Sequence, residues 1–248
     1  MEFDRPKYED IDRLPLVLLI PKNTKKILDI GCNQGGFGLS LKNLMDIEVW
    51  GVEPDEQAAT VAKERLDNVI VDFFHSGNPI PDNYFDVITF NDSLEHMPDP
   101  ASALELCKKK LKTGGRIHCC VPNMRHIDNL EHLFLEKDWR YEEFGIRDKT
   151  HLRFFTLKSI VRLFENLELN VVQTMFINEK WWDSKKLLRR LLYRFFPELM
   201  SDTKHIQIVV IAEPKNSFNP YSPRGSSPLH VPRHSSSSQT GPRVGGQQ

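Results

Sequence analysis

Short apolar runs, separated by stretches of helical periodicity, set the framework of this chain. The runs Lys26–Ile30, Glu48–Glu53, Val69–Phe74, Phe85–Asn91, Arg116–Val121, Leu169–Ile177 and His205–Ala212 predict strands. Apolar and β-branched residues dominate them, and polar or turn residues bound them. Between these runs, Phe37, Leu41, Leu44 and Met45 share one helical face after Gly35. Further helices are expected over Asp55–Leu66 and over Pro100–Leu111, the second ending in lysines that suit the helix dipole. Thr156 is placed to cap another, running through Ile160, Leu163 and Phe164. Strands alternating with helices of this length give βαβ units, a largely parallel sheet and helices on both faces. The last two strands are joined without that simple alternation, which leaves room for one antiparallel strand at the edge. The expected fold is therefore α/β and Rossmann-like, with seven strands.

A chain of 248 residues and 40% hydrophobic composition supports one domain with a real core. That domain is expected over residues 1–213. From Pro214 to Gln248 the sequence is rich in Pro, Ser, Gly and Arg, has no acidic residue and shows no apolar period. Such a tail cannot bury enough surface to offset its ordering entropy, and disorder is expected there. The net charge of -1 lacks the basic excess of a nucleic-acid binder. No apolar run approaches the roughly 18 residues of a membrane span, and the acidic, polar stretch Met1–Asp10 does not read as a secretory signal. Cys32, Cys107, Cys119 and Cys120 show no CxxC spacing, so they read as reduced thiols of a cytoplasmic protein. Cys119 and Cys120, adjacent in a strand, should point to opposite faces of the sheet.

The chemistry concentrates in three places. In Ile27-Leu-Asp-Ile-Gly-Cys-Asn-Gln-Gly-Gly-Phe-Gly38 a buried strand runs into a glycine-rich turn and then a helix, the layout of a nucleotide-type site. Asn33 and Gln34 stand where a dinucleotide fingerprint wants its second glycine, which disfavours a nicotinamide enzyme. Glu53 ends the second strand, where an acid accepts hydrogen bonds from ribose hydroxyls. Asp72 and Phe73, expected at the end of the next strand, suit an adenine amino group and ring face.

Together with Phe85-Asp-Val-Ile, Leu94-Glu-His-Met-Pro-Asp-Pro100, Leu111-Lys-Thr-Gly-Gly115 and His151-Leu-Arg-Phe-Phe-Thr156, these segments resemble the class I S-adenosylmethionine-dependent methyltransferases. The likeness is to their type 11 and type 23 small-molecule branches, and it covers nearly everything before Pro214. It implies S-adenosyl-L-methionine as cofactor. Gly31, Cys32 and Gly35 would then lie along the methionine part, Glu53 on the ribose, and Asp72 with Phe73 on the adenine. Asp29 would lie near the same loop, or only organise it. Asn91 would border the sulfonium, or only cap its strand.

Methyl transfer from a sulfonium needs mainly alignment of the reacting atoms. A hydroxyl acceptor also needs a base, and His96 and His151 are the candidates, with Asp92 as a substitute. No metal is expected, since no trusted i,i+4 ligand pair stands out. Asn91-Asp-Ser-Leu94 departs from the Asn/Asp-Pro-Pro-aromatic motif of enzymes that methylate nucleobase amines, so O-methylation of a small or glycan-type acceptor is the first reading. N- or C-methylation of a metabolite, or an inactive cofactor-binding scaffold, are the rivals. The acceptor pocket is expected between Pro122 and Thr156, where His126, Trp139, Arg140, Tyr141, Phe144 and Arg147 cluster; His126 and His132 are weaker candidates for the base. The basic, amphipathic stretch 181–200, with Trp181 and Trp182, reads either as a peripheral membrane contact or as a helix docked on its own domain or on a partner subunit.

Overall fold

The computed structural model describes residues 13–180 and 187–215. The acidic stretch Met1–Asp10, the tryptophan pair and the tail beyond Lys215 lie outside the described residues. The first half runs α1 (Leu14–Val17), β1 (Lys26–Ile30), α2 (Gly36–Leu44), β2 (Glu48–Val52), α3 (Glu56–Arg65), β3 (Asn68–Ile70), β4 (Phe85–Asn91) and α4 (Pro100–Lys110). The second half runs β5 (Leu111–Pro122), α5 (Ile127–Glu131), α6 (Leu157–Asn166), β6 (Leu169–Glu179), α7 (Leu187–Phe195), α8 (Pro197–Met200) and β7 (His205–Pro214).

Local chemistry explains the helix starts. Asp55 caps α3 by accepting from the amides of Gln57 and Ala58, and Asp99 caps α4 through Ser102 ahead of Pro100. Thr156 and Ser159 form a reciprocal capping box on α6. The seven strands lie in the order β3-β2-β1-β4-β5-β7-β6. Neighbours from β3 to β5 pair in parallel, and β7 is antiparallel to both β5 and β6. The antiparallel strand thus belongs to the edge pair, with β6 outermost.

The alternation of side chains divides the core between the two faces. Leu28, Ile30, Ile88, Phe90, Ile117 and Cys119 pack with Leu104, Ile160 and Phe164 on one face. Ile27, Val49, Val87, Cys120 and Val209 pack with Phe37, Leu41 and Leu16 on the other. Adjacent Cys119 and Cys120 therefore do serve opposite layers.

Two strand limits differ from expectation by several residues, and the others by no more than two. β3 stops at Ile70 rather than Phe74, because β2, its only partner among the described residues, ends at Val52 opposite Ile70. Asp72 and Phe73 consequently stand in a loop beyond the strand. β5 begins at Leu111 rather than Arg116, since Leu111 already pairs with Phe85 before a register shift. Among the described residues no helix is long and apolar enough to cross a membrane. Arg189 of α7 is buried against Asp128 and Glu131 of α5, so docking on its own domain accounts for part of the amphipathic stretch.

Candidate active site

Strand order reverses between β1 and β4, and in open α/β sheets the crevice beyond the strand ends at such a point is where ligands bind. The loops after these strands meet there. Gly31 leaves β1 at φ +76°, and a Cβ on it would stand 2.6 Å from the Cβ of Ser93, in the loop after β4. Only glycine tolerates both the left-handed backbone and that approach. The Ser93 hydroxyl donates to the Ile30 carbonyl at 2.5 Å, locking the two loops together. Gly35, also at φ +76°, caps α2.

Glu53 is 8% exposed and completes this loop. Its two carboxylate oxygens accept from the amides of Asn33, at 2.8 Å, and Asp55, at 2.9 Å. One acid thereby ties the glycine turn to the start of α3. Each oxygen keeps a further lone pair, which is what ribose hydroxyls require. Cys32 is different: its thiol is buried against Gly51 and donates to the Asn33 carbonyl at 3.6 Å, and burial pushes its pKa up.

Asp29 lies beneath the loop, 2% exposed. Its Oδ1 accepts from the Thr89 hydroxyl at 2.7 Å and from Asn91 Nδ2 at 3.1 Å. Burial pushes its carboxyl up to about 6, against the opposing hydrogen bonds and the Arg13 charge. Asn91 thus joins Asp29 as well as ending β4. Asp72 accepts from the Phe73 amide at 2.8 Å and holds His75 at 2.9 Å and Asn78 at 3.3 Å. His75 foremost lowers the Asp72 pKa. The ring of Phe73 is 73% exposed, an aromatic face open to a planar ligand.

The loop after β4 has a different character. Asp92 is held at φ 54° by Arg13, at 3.1 Å, and by Gln207, whose Nε2 lies 2.5 Å from Oδ1. That engagement removes it from the role of a ready base. Glu95 follows, and the amides of Leu152 and Arg153 both donate to its carbonyl at 2.9 Å. This clamp brings His151 over the loop, so that its ring lies 4.8 Å from that of His96, centroid to centroid. His151 Nδ1 pairs with the Ile146 carbonyl at 3.1 Å, and its Nε2 lies 3.8 Å from Glu95 Oε1. His96 Nδ1 pairs with the Thr150 carbonyl at 3.2 Å. Burial, then the neighbouring His96, lower the His151 pKa and favour its neutral form. The two histidines chosen from sequence therefore meet, across 55 residues of chain. Glu95, to which the sequence reading gave no role, sits between them, 1% exposed.

Of the expected acceptor residues, Trp139 and Tyr141 form an edge-to-face group with Phe154, and Tyr141 and Phe144 are exposed. Arg147 is buried on Asn129 and Glu142, and His126 is buried on the Lys180 carbonyl at 2.7 Å. These two hold the cap together rather than face a substrate. His132 pairs with Glu136 one turn along at 2.7 Å, and Arg140 is exposed beside Asp138.

The donor set fits a cationic nucleoside: glycines that admit a close backbone approach, an acid with free lone pairs, an exposed ring, and carboxylates beneath the loop. The sequence profile of a methyltransferase domain matches residues 3–174. An uncharacterized methyltransferase of Schizosaccharomyces pombe is 34% identical over 115 residues, 40% of each chain. A ubiquinone biosynthesis O-methyltransferase of a Shewanella species is 26% identical over 151 residues, 58% of this chain and 63% of its own. The matches thus span about two fifths to just under two thirds of those relatives' lengths. The crystal structure of a SAM-dependent methyltransferase from Archaeoglobus fulgidus shares the fold with a TM-score of 0.59 at 23% identity, over 81% of this chain and 90% of that one. With its profile match, sheet order and loop, this chain belongs to the methyltransferase-domain family, the class I S-adenosylmethionine-dependent methyltransferases.

Proposed function

We propose that this chain transfers a methyl group to a hydroxyl of a small-molecule or glycan-type acceptor. The observation that supports the reading is the meeting of His151 with Glu95 and His96, which stand two and three residues past the Ser93 that faces Gly31; on this reading proton-accepting groups lie next to the methyl-donor end of the crevice. The O-methyltransferase name of the Shewanella relative points the same way. When bound, S-adenosyl-L-methionine supplies the methyl: a carbon–oxygen bond forms as the carbon–sulfur bond breaks and its electron pair stays on sulfur. On this reading Gly31, Gly35 and the Cys32 backbone hold the methionine portion. Glu53 holds the ribose, Asp72 and Phe73 hold the adenine, Asp29 organises the glycine loop, and Asn91 borders the sulfonium. Trp139, Tyr141 and Phe154 give the acceptor an aromatic wall, on which phenol rings and sugars stack. The residues near Glu95 take up the hydroxyl proton.

Calorimetric titration with S-adenosyl-L-methionine, against NAD as control, followed by a screen of phenols and glycans, tests this reading. Micromolar binding of the first ligand alone and an O-methylated product are expected. His151→Ala and His96→Ala should each lower turnover about 10²- to 10⁴-fold, with cofactor affinity unchanged. Normal turnover in both would remove the histidines from the chemistry.

A further inference from the structure

We infer that Glu95, His96 and His151 together hold one divalent transition-metal ion, Zn²⁺ or Mn²⁺ in kind, at the acceptor side of the crevice. One nitrogen of each ring and one carboxylate oxygen lie within 4.8 Å of one another. Metal–ligand bonds of about 2.1 Å set ligand atoms roughly 3.4 Å apart in a tetrahedral site. The 3.8 Å between Glu95 Oε1 and His151 Nε2 is close to that spacing, and half-exposed His96 has room to complete it.

The tautomers support the same reading. Both rings turn Nδ1 to a backbone carbonyl, Thr150 for His96 and Ile146 for His151. A carbonyl only accepts, so Nδ1 carries the proton and the neutral ring keeps its lone pair on Nε2. Metal-binding histidines are held in this manner, through the nitrogen that does not touch the ion.

Glu95 supplies the independent observation. Neither of its oxygens has a hydrogen-bond partner among the described residues, although the side chain is almost wholly buried. A buried carboxyl group left without a hydrogen-bond partner is costly, and a cation held between it and one lone pair of each imidazole would answer all three groups at once. Two imidazoles and one carboxylate suit a first-row transition ion; magnesium and calcium prefer oxygen ligands. The sequence reading sought helical i,i+4 pairs and expected no metal. This set joins two adjacent residues to a third from a distant loop, a spacing that such a search misses.

Three protein ligands leave coordination positions for an acceptor hydroxyl. On that reading a bound ion would lower the pKa of the hydroxyl and let its proton pass to water, taking over from His96 and His151 the task of accepting it, because their lone pairs would then be on the ion. This role rests on the O-methylation proposed above; the metal site itself does not.

The full chain, stripped with chelator, is titrated with Zn²⁺ and with Mn²⁺, and metal content is measured after desalting. Co²⁺ absorption gives a spectroscopic readout of the ligand field. One equivalent is expected to bind. Losing a partner that only supports a ligand costs about 10- to 100-fold in affinity, so Glu95→Gln and His151→Ala should each cost at least that. Glu95→Gln removes a buried charge and should fold, with wild-type circular dichroism and wild-type cofactor affinity. His230→Ala combined with His234→Ala should bind metal as wild type does. Absence of stoichiometric binding, or binding that follows His230 and His234 and ignores Glu95 and His151, overturns the inference. Because no acceptor is present, failure here leaves the methylation reading standing, and a failed acceptor screen leaves the metal site standing.

Discussion

The loops after β1 and β2 and the loop after β4 occupy the same edge of one sheet, yet they are finished in opposite ways. Around Gly31 and Glu53, carboxylate oxygens answer backbone amides and one glycine meets one serine at contact distance. That region is organised before any ligand arrives. Around Glu95, the side chain of a buried acid has no hydrogen-bond partner among the described residues, two rings pair their Nδ1 atoms with backbone carbonyls, and the clamp comes from a distant segment. On the function proposed above, the first region binds a constant molecule by shape and backbone. The second is held in a state that only a further charged or polar group relieves. Pre-organisation serves affinity, and unmet electrostatics near a crevice mark chemistry.

Four substitutions sharpen that contrast. The largest effect is expected from Gly31→Ala, whose Cβ must be accommodated at φ +76° against Ser93. Backbone strain and overpacking together should remove about 2–6 kcal/mol of stability. Cofactor binding should fall at least about 100-fold, as each 1.4 kcal/mol of lost complementarity is tenfold. Denaturant unfolding and calorimetry measure both, and near-normal values would show that the close approach is incidental. Next comes Glu53→Ala. A charged hydrogen-bonding group contributes about 1.5–3 kcal/mol, so affinity for S-adenosyl-L-methionine should weaken about 10- to 150-fold. Unchanged affinity in calorimetry would sink the ribose role and leave Glu53 as a loop brace only.

Asp29→Asn reads the electrostatics beneath the loop. The folded-state pKa of about 6 lies above the ordinary 3.8, so the folded chain binds the extra proton more tightly. The Asp29 contribution to stability is therefore greatest below the unfolded value and is lost as pH rises through about 6. The asparagine variant, whose amide oxygen still accepts from Thr89 and Asn91, should flatten that slope. Above pH 6 it should gain up to about 3 kcal/mol. Urea titrations at several pH values test this, and an unchanged slope would mean that Asp29 is not the group responsible. The smallest effect belongs to Phe73→Ala. An exposed ring stacked on a planar ligand contributes about 0.5–1.5 kcal/mol, so binding should weaken about 2- to 10-fold with stability unaltered. A larger loss of stability than of affinity would reassign the ring to packing.

The contrast also explains what the sequence could tell. Strands buried on both faces read as dense apolar runs, so β1 and β4 were legible to the residue. The capping acids and Thr156 announced their helices because capping is local chemistry. β3 was overdrawn because Val71, Phe73 and Phe74 continue an apolar run that no partner strand supports. The glycine loop could be read because its geometry needs particular residues in immediate succession. Glu95 could not, since Leu-Glu-His in a loop looks like a solvated turn. Only the return of residues 150–153, through two hydrogen bonds to its carbonyl, buries it. Cys32 shows what position in a motif leaves open: its thiol is buried against Gly51, which the succession of residues alone does not reveal.

Asp92 carries one more consequence, for the order in which the molecule comes together. Its carboxylate is gripped by Arg13 from 79 positions before and by Gln207 from 115 positions after. These are among the most distant contacts the chain makes, and contacts of long sequence separation form late, because large loops must close first. During synthesis the loop after β4 emerges well before β7, so the crevice has to wait for the last strand to insert between β5 and β6. A folding intermediate lacking β7 would carry the glycine turn but hold Asp92 on one side only. Cofactor binding competence and final sheet closure should therefore rise together in refolding, as one event rather than two.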